Sequence, residues 1–181
     1  MSGKGWKTPL AAERYAEAFD SADLPTGVFQ FLHLDHPSTA KVIRAPEVDF
    51  VAFTGSVGGG EMVEAAAHGR FIGVGLELGG KDPGYVMDDA DLDWAVDTLM
   101  DAALFNSGQC CCGIERIYVA ETLYDAFVEK AVAWASKLKL GNPLDAETTI
   151  GPMANVRFAA TVRAQIEDAL SKGARGLVDL A

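Results

Sequence analysis

The chain has 181 residues, 49% hydrophobic and 9% aromatic, enough apolar content for one sizeable core or two small domains and unlike any disordered or fibrous composition. Its formal net charge of −11 argues against sequence-independent attraction to nucleic acid or to anionic lipid. No apolar run approaches the roughly 18 residues of a membrane span, residues 1–9 lack the apolar core of a signal peptide, and three adjacent cysteines cannot build a disulfide framework, so a reducing cytoplasm is expected.

In chain order, Thr8-Pro9 reads as an N-cap and first helical position, opening a helix over residues 10–22 with Leu10, Ala11, Tyr15, Ala18 and Phe19 on its buried side. A turn at residues 24–27 leads to residues 28–34, whose Val-Phe-Gln-Phe-Leu pattern predicts a strand. A short helix over 38–45 and a strand over 49–54 follow. That strand runs directly into Gly55-Ser56-Val57-Gly58-Gly59-Gly60. A helix over 61–68 and a strand over 71–78 complete a strand-helix-strand-helix-strand series, which predicts a parallel α/β sheet. Beyond Gly79-Gly80, the best candidate boundary, the sequence predicts a strand over 83–87, an acidic helix start at 88–91 and an apolar helix over 94–105. A strand over 116–119 and helices over 123–138 and 158–172 end the series, with Gly173 closing the last.

Three stretches carry chemistry. The glycine turn, between a strand and a helix, suits a phosphate seated on a helix N-terminus, where free N–H groups and the dipole favour an anion, but it equally suits a tight turn. Glu61 stands where the lysine of a Walker loop belongs, and the dinucleotide fingerprint is not met either. Glu77, between Leu76 and Leu78 in an apolar strand, is either ion-paired or held for proton transfer. Cys110-Cys111-Cys112 admit three readings: small buried hydrophobes, metal ligands, or a nucleophile near a helix terminus beside the Gly108-Gln109 turn. Three successive residues cannot converge on one ion, which leaves no metal site there. His33, His36 and His68 read as surface or packing residues, and the acidic run from Asp88 to Asp93 as a solvated helix start.

Taken together, Phe53-Thr54-Gly55-Ser56, Leu76-Glu77-Leu78-Gly79-Gly80-Lys81, Phe105-Asn106-Ser107-Gly108-Gln109-Cys110-Cys111 and Gly151-Pro152 occur in the order found in NAD(P)-dependent aldehyde dehydrogenases, and from about Thr8 to Arg175 the chain resembles that superfamily. The resemblance implies a parallel, Rossmann-like α/β sheet segment at residues 1–78, the later part of a cofactor domain, followed at 79–181 by the first part of an α/β catalytic domain. It implies Cys111 as catalytic thiol and Glu77 as the base that activates the deacylating water. Gly55, Ser56 and Gly60 would lie at the pyrophosphate of NAD or NADP, with Leu78 and Gly79 near the nicotinamide. An aldehyde substrate follows, with homo-oligomers expected of an intact member.

Several departures accompany the resemblance. Family enzymes are far longer, and the asparagine of their oxyanion hole lies upstream of Met1. Gly3 and Trp6 stand where ribose-binding residues align, and His36-Pro37 where many members have Gly-Pro. The later Glu-x-Phe-Gly-Pro segment is absent, and the sequence after Arg175 departs from the pattern. The expectation is therefore a segment of an aldehyde-oxidising enzyme. The alternatives are a catalytically incomplete interaction module, or an enzyme that passes the acyl group to coenzyme A, against which a water-activating Glu77 counts.

Overall fold

The structure, a computed structural model, describes residues 9–178 and separates into two compact units, one ending at Gly79 and one beginning at Gly80. In the first unit, α1 (Pro9–Ser21) occupies the predicted place, but of the residues expected on its buried side Leu10, Ala11, Tyr15 and Ala18 are exposed and only Phe19 is half-buried; its expected cap, Thr8, lies outside the described residues. Residues 28–34 do not form the predicted strand. A β-rich sequence becomes a strand only against a ladder partner, and none pairs with this segment among the described residues. Its aromatic side chains pack locally instead: Phe29 stacks on Phe19 of α1 with ring centroids 4.9 Å apart and planes inclined by 10°. Next, α2 (His36–Arg44) starts where the Asp35 carboxylate accepts the Ser38 N–H at 2.9 Å, with Pro37 in its first turn. Hydrogen bonds from the side chain and backbone of Ser38 hold the Asp35 carboxyl below its ordinary range.

The organising element of this unit is a parallel β-α-β crossover. β1 (Phe50–Thr54) and β2 (Gly73–Glu77) pair in parallel, from Phe50 opposite Gly73 to Thr54 opposite Glu77, with α3 (Val57–Ala67) between them in sequence. Ile43, Val51, Val63, Ala66 and Ala67 are buried together, and Ala40, Phe53, Val74 and Leu76 pack against them. The Arg70 guanidinium donates to the Ile43 carbonyl at 2.6 Å, tying the end of α2 to the segment before β2. The helix expected from residue 61 in fact begins at Val57, so Gly58, Gly59 and Gly60 are helical. Glycine weakens a helix by up to about 1 kcal/mol per residue relative to alanine, but the Ser56 cap and the packing of Val63 and Ala66 hold the first turn in place.

The second unit repeats the parallel theme. β3 (Asp82–Val86) and β4 (Ile114–Val119) pair from Pro83 opposite Arg116 to Val86 opposite Val119, with an irregularity between Asp82 and Pro83. α4 (Leu92–Leu104) starts where Asp91 accepts the Trp94 N–H at 3.1 Å, and α5 (Tyr124–Ala135) packs along it. Val86, Ala95, Val96 and Phe127 form the buried core. On its rim the Trp134 indole N–H donates to Asp97 at 2.9 Å, and Lys130 pairs with Asp93, which raises the lysine's pKa. α6 (Val156–Ser171) is capped by Asn155, and Gly173 follows it with φ +97°, the left-handed exit that glycine makes without steric cost. Strands run parallel in both units with helices joining them, the α/β class expected from the sequence. Among the described residues no helix is long and apolar enough to cross a membrane.

Two substitutions test this description. Phe127→Ala should lower unfolding free energy by about 3–5 kcal/mol in a denaturant titration, because it empties a core position that is 5% exposed. Phe71 is fully exposed at φ +56°, a left-handed conformation costing a non-glycine residue about 1–2 kcal/mol. Phe71→Gly should therefore raise stability, by somewhat less than that cost because glycine also frees the unfolded chain. A loss of stability in this variant would contradict the conformation described.

Candidate functional site

In the first unit the candidate residues gather at the carboxyl ends of β1 and β2. The Gly55 N–H donates to the Glu77 carbonyl at 2.9 Å, so the glycine turn leaves the sheet beside the last residue of β2. Ser56, extended at φ −78° and ψ 159°, caps α3 by accepting the Gly59 N–H on its hydroxyl at 3.2 Å, and its carbonyl accepts the Gly60 N–H at 3.0 Å. Helix geometry leaves the N–H groups of Val57 and Gly58 without a carbonyl four residues back. No acidic residue occupies the first turn of α3; Glu61 begins the second. A Cβ on Gly60 would lie 3.0–3.1 Å from the Leu78 methyls, so glycine at position 60 lets α3 and Leu78 approach without crowding. The structure thus brings Gly55, Ser56, Gly60, Glu77 and Leu78 into one neighbourhood, with Gly79 exposed just beyond.

Glu77 itself is exposed at the end of β2 and makes no ion pair or side-chain hydrogen bond among the described residues. The sequence alternative of a structural ion pair therefore finds no partner. A carboxylate with free lone pairs at a strand's carboxyl end can accept a proton from water or substrate.

In the second unit the thiols follow the C-terminal end of α4. The nearest preceding helix terminus is thus the negative end of its dipole, and the expected help from a helix N-terminus is not what α4 supplies. A 3-10 turn over Phe105–Gly108 leads to them, and its backbone is unusual: Asn106 (φ 51°, ψ 39°), Ser107 (φ 59°, ψ 36°) and Gly108 (φ 70°) are successively left-handed. For Ser107 this costs about 1–2 kcal/mol, while Asn106 and Gly108 tolerate the region better. Local hydrogen bonds close the turn: the Gln109 N–H donates to the Asn106 carbonyl at 3.1 Å, and the Asn106 amide donates to the Gln109 carbonyl at 3.3 Å. Then Cys110 to Cys112 turn the chain into β4, with the Gly113 N–H donating to the Cys110 carbonyl at 3.2 Å. Cys111 and Cys112 are exposed and Cys110 is half-buried; none is in a disulfide.

The outer two thiols interact. Cys110 Sγ and Cys112 Sγ lie 3.5 Å apart. Hydrogen bonds from the backbone N–H and the thiol of Cys112 favour the Cys110 thiolate and lower its pKa. The same contact stabilises the neutral Cys112 thiol as donor and raises its pKa. Of the residues not given a role at the site from sequence, Gly80 and Lys81 bear on this loop. A Cβ on Gly80 would lie 3.2 Å from the Cys111 carbonyl. The Lys81 carbonyl accepts from the Arg116 guanidinium at 2.9 and 3.2 Å while its ammonium pairs with Glu115. Beside the left-handed turn lies a groove of about 650 Å³, lined by Asp101, Phe105, Trp134 and Met153 among others and by none of the cysteines. His33 Nε2 stands 3.8 Å from Glu13, His36 opens α2, and no three possible metal ligands cluster among the described residues.

The chain as a whole is similar to known proteins. Residues 6–180 match the model of the aldehyde dehydrogenase family. A mitochondrial aldehyde dehydrogenase of Mesocricetus auratus is 40% identical over 171 residues, covering 93% of this chain and 34% of the relative. Among solved structures, an NADP-dependent enzyme of E. coli superposes with a TM-score of 0.91 at 38% identity over 94% of this chain and 36% of its own. A betaine aldehyde dehydrogenase of Staphylococcus aureus in complex with NAD+ does so with a TM-score of 0.88 at 31% identity, over 94% and 34%. The chain spans about a third of the length of the relatives quoted.

The thiol geometry predicts an order of reactivity. As pH rises, iodoacetamide should label Cys110 before Cys112, read site by site from fragment masses, since only the deprotonated thiol attacks. Replacing Cys112 with alanine should move the Cys110 labelling midpoint upward, because one of its hydrogen-bond donors is gone; an unmoved or lower midpoint would contradict the pairing.

Proposed function

From its membership of the aldehyde dehydrogenase family, we propose that this chain carries the nucleophile and base of an enzyme oxidising an aldehyde to a carboxylic acid with NAD or NADP. One feature in each unit carries this reading. In the second unit an exposed thiol, Cys111, follows a left-handed turn; in the first a carboxylate, Glu77, without an ion pair among the described residues, stands at a strand end beside a helix N-terminus. Residues up to about 78 are assigned to the cofactor-binding part and those from about 79 to the thiol-bearing part. Similar proteins bind NAD+ or depend on NADP, and the first unit suits such a ligand. The N–H groups of Val57 and Gly58 are free to meet a pyrophosphate, the first helical turn holds no carboxylate, and a Cβ on Gly58 would meet nothing within 4 Å. Gly55, Ser56 and Gly60 would hold the pyrophosphate end, and Leu78 and Gly79 would lie near the nicotinamide.

When bound, the nicotinamide supplies the hydride acceptor. The chain's own residues do the rest. Cys111, as thiolate, attacks the aldehyde carbonyl carbon; the sulfur–carbon bond forms as the carbonyl π pair moves to oxygen. Oriented donors must stabilise that oxyanion, and the Cys111 N–H is the one its own backbone offers. With the hydride gone from carbon, the acyl group is a thioester on Cys111. Glu77 takes a proton from water as the water oxygen attacks that carbonyl, and collapse returns the thiolate and releases the acid. An unpaired base at Glu77 favours water over coenzyme A as acyl acceptor. The free thiols suit a reducing, cytoplasmic setting, and an intact homo-oligomer is part of the same proposal.

A second reading is favoured by the exposed apolar surface: Phe71 is 102% and Leu144 92% exposed, and among the described residues each sheet has two strands. On this reading the chain binds through those faces and does no chemistry.

Production of reduced nicotinamide from a panel of aldehydes, followed by absorbance, separates the two. Turnover by the unsubstituted chain should vanish in Cys111→Ala. Glu77→Gln should retain an initial burst but lose steady-state turnover by roughly 10²–10⁴-fold. Undiminished turnover in Cys111→Ala would end the nucleophile assignment, and absence of turnover throughout would favour the second reading.

A further inference from the structure

The left-handed turn before the cysteines is fastened to a segment far along the chain. The Ser107 hydroxyl donates to the Gly151 carbonyl at 2.5 Å, and the Gln109 side-chain carbonyl accepts the Ala154 N–H at 2.8 Å. The other half of the Gln109 amide donates to the Asn106 carbonyl at 3.1 Å, so one side chain closes the turn and anchors it. The receiving segment is itself fixed at both ends. Ile150 bridges Leu140, and its carbonyl accepts the Gly141 N–H at 3.2 Å; Asn155 then caps α6 through the Arg157 N–H at 2.8 Å. Left-handed non-glycine residues persist where the surroundings over-determine them, and these two tethers are that surrounding.

We propose that Gln109 and Ser107 are positioning residues, clamping the 106–108 turn onto Gly151 and Ala154 so that the backbone presenting Cys111 is held in one orientation. The proposal rests on Cys111 being the nucleophile. Only Cys110 separates Gln109 from Cys111, so rotation of the Gln109 backbone swings the thiol. On the other side, the Cys111 carbonyl stands against Gly80, where a Cβ would come within 3.2 Å. The thiol-bearing backbone thus has Gly80 on one side and the clamp on the other. A displacement of about 1 Å at a reacting group can cost on the order of 10²-fold in rate, so releasing the clamp should lower kcat and leave KM near its parent value. Gly151-Pro152, one of the stretches singled out in the sequence, gains a role as the strut that receives the turn.

The test uses the full chain carrying Cys110→Ser and Cys112→Ser, so that iodoacetamide reports Cys111 alone. The Cys111 alkylation rate in the folded chain should differ by at least about fivefold from that in urea. Gln109→Ala should abolish most of this difference and raise hydrogen exchange at the Ala154 amide by about tenfold or more. Gln109→Glu keeps a side-chain oxygen that can accept the Ala154 N–H but loses the donor to the Asn106 carbonyl, so it should restore protection at Ala154 and only part of the alkylation difference. Should Gln109→Ala fail to fold, Ser107→Ala removes one tether and should shift both readouts the same way to a smaller extent. Equal alkylation rates in folded and urea-treated parent, or in parent and Gln109→Ala, would overturn the clamp. If the alkylation and exchange pattern appears while no form oxidises aldehydes, the clamp stands and the functional reading falls. If turnover is present and lost in Cys111→Ala while Gln109→Ala alkylates like its parent, the clamp falls and the functional reading stands.

Discussion

The presentation of the three cysteines in the second unit depends on one backbone constraint: three consecutive residues, Asn106 to Gly108, held in the left-handed region. α4 must end there, because left-handed residues cannot continue a right-handed helix, and the chain is redirected toward β4. The cysteines occupy the short stretch that this redirection creates. Their exposure follows from position, since a turn between a helix and a strand lies on the surface of its unit. Glycine alone would make such a turn at little steric cost. Asn106 and Ser107 make it at a cost and bring side chains that fasten it, a trade of conformational ease for definition.

Much of the architecture was legible in the sequence because alternation of strand and helix patterns is a local signal. The elements of the β1-α3-β2 crossover, and β3, α4 and β4, fall where hydrophobic pattern and cap residues place them, with ends moved by a few residues; the pairing of β3 with β4 was not read from sequence. The strand expected at residues 28–34 is the main failure, and its cause is general. β-propensity records how well a side chain fits a pleated, half-covered surface, and without a ladder partner that preference goes unexpressed. The start of α3 was misplaced for the opposite reason: glycine's poor intrinsic propensity suggested a loop, while a Ser56 cap and a packed face made a helix.

The candidate site was legible in part. Glu77 and Cys111 stand out because a carboxylate amid apolar neighbours and a cysteine beside a glycine turn are uncommon locally. The fastening of Gln109 to Ala154 and of Ser107 to Gly151 could not be read from spacing, since each joins residues more than forty positions apart through a backbone group. Any residue supplies a backbone N–H or carbonyl, so the partner leaves no trace in the sequence. The same holds for Gly80, where a Cβ would crowd the Asp82 carboxylate and a carbonyl from another loop.

The glycine turn shows how packing and function divide a motif between them. A Cβ at Gly55 or Gly59 would overlap the Phe53 ring, and one at Gly60 would crowd the Leu78 methyls. Internal packing thus already favours glycine at these three positions, so their presence is weak support for a ligand. Gly58 differs. A Cβ there would meet open space, its φ lies outside the left-handed region, and its N–H has no helical partner. Internal packing therefore gives no reason for glycine at position 58, whereas close approach by an anion to the end of α3 does. The weight of the cofactor assignment in this chain thus rests on Gly58 and the free N–H groups beside it, more than on the number of glycines in the turn.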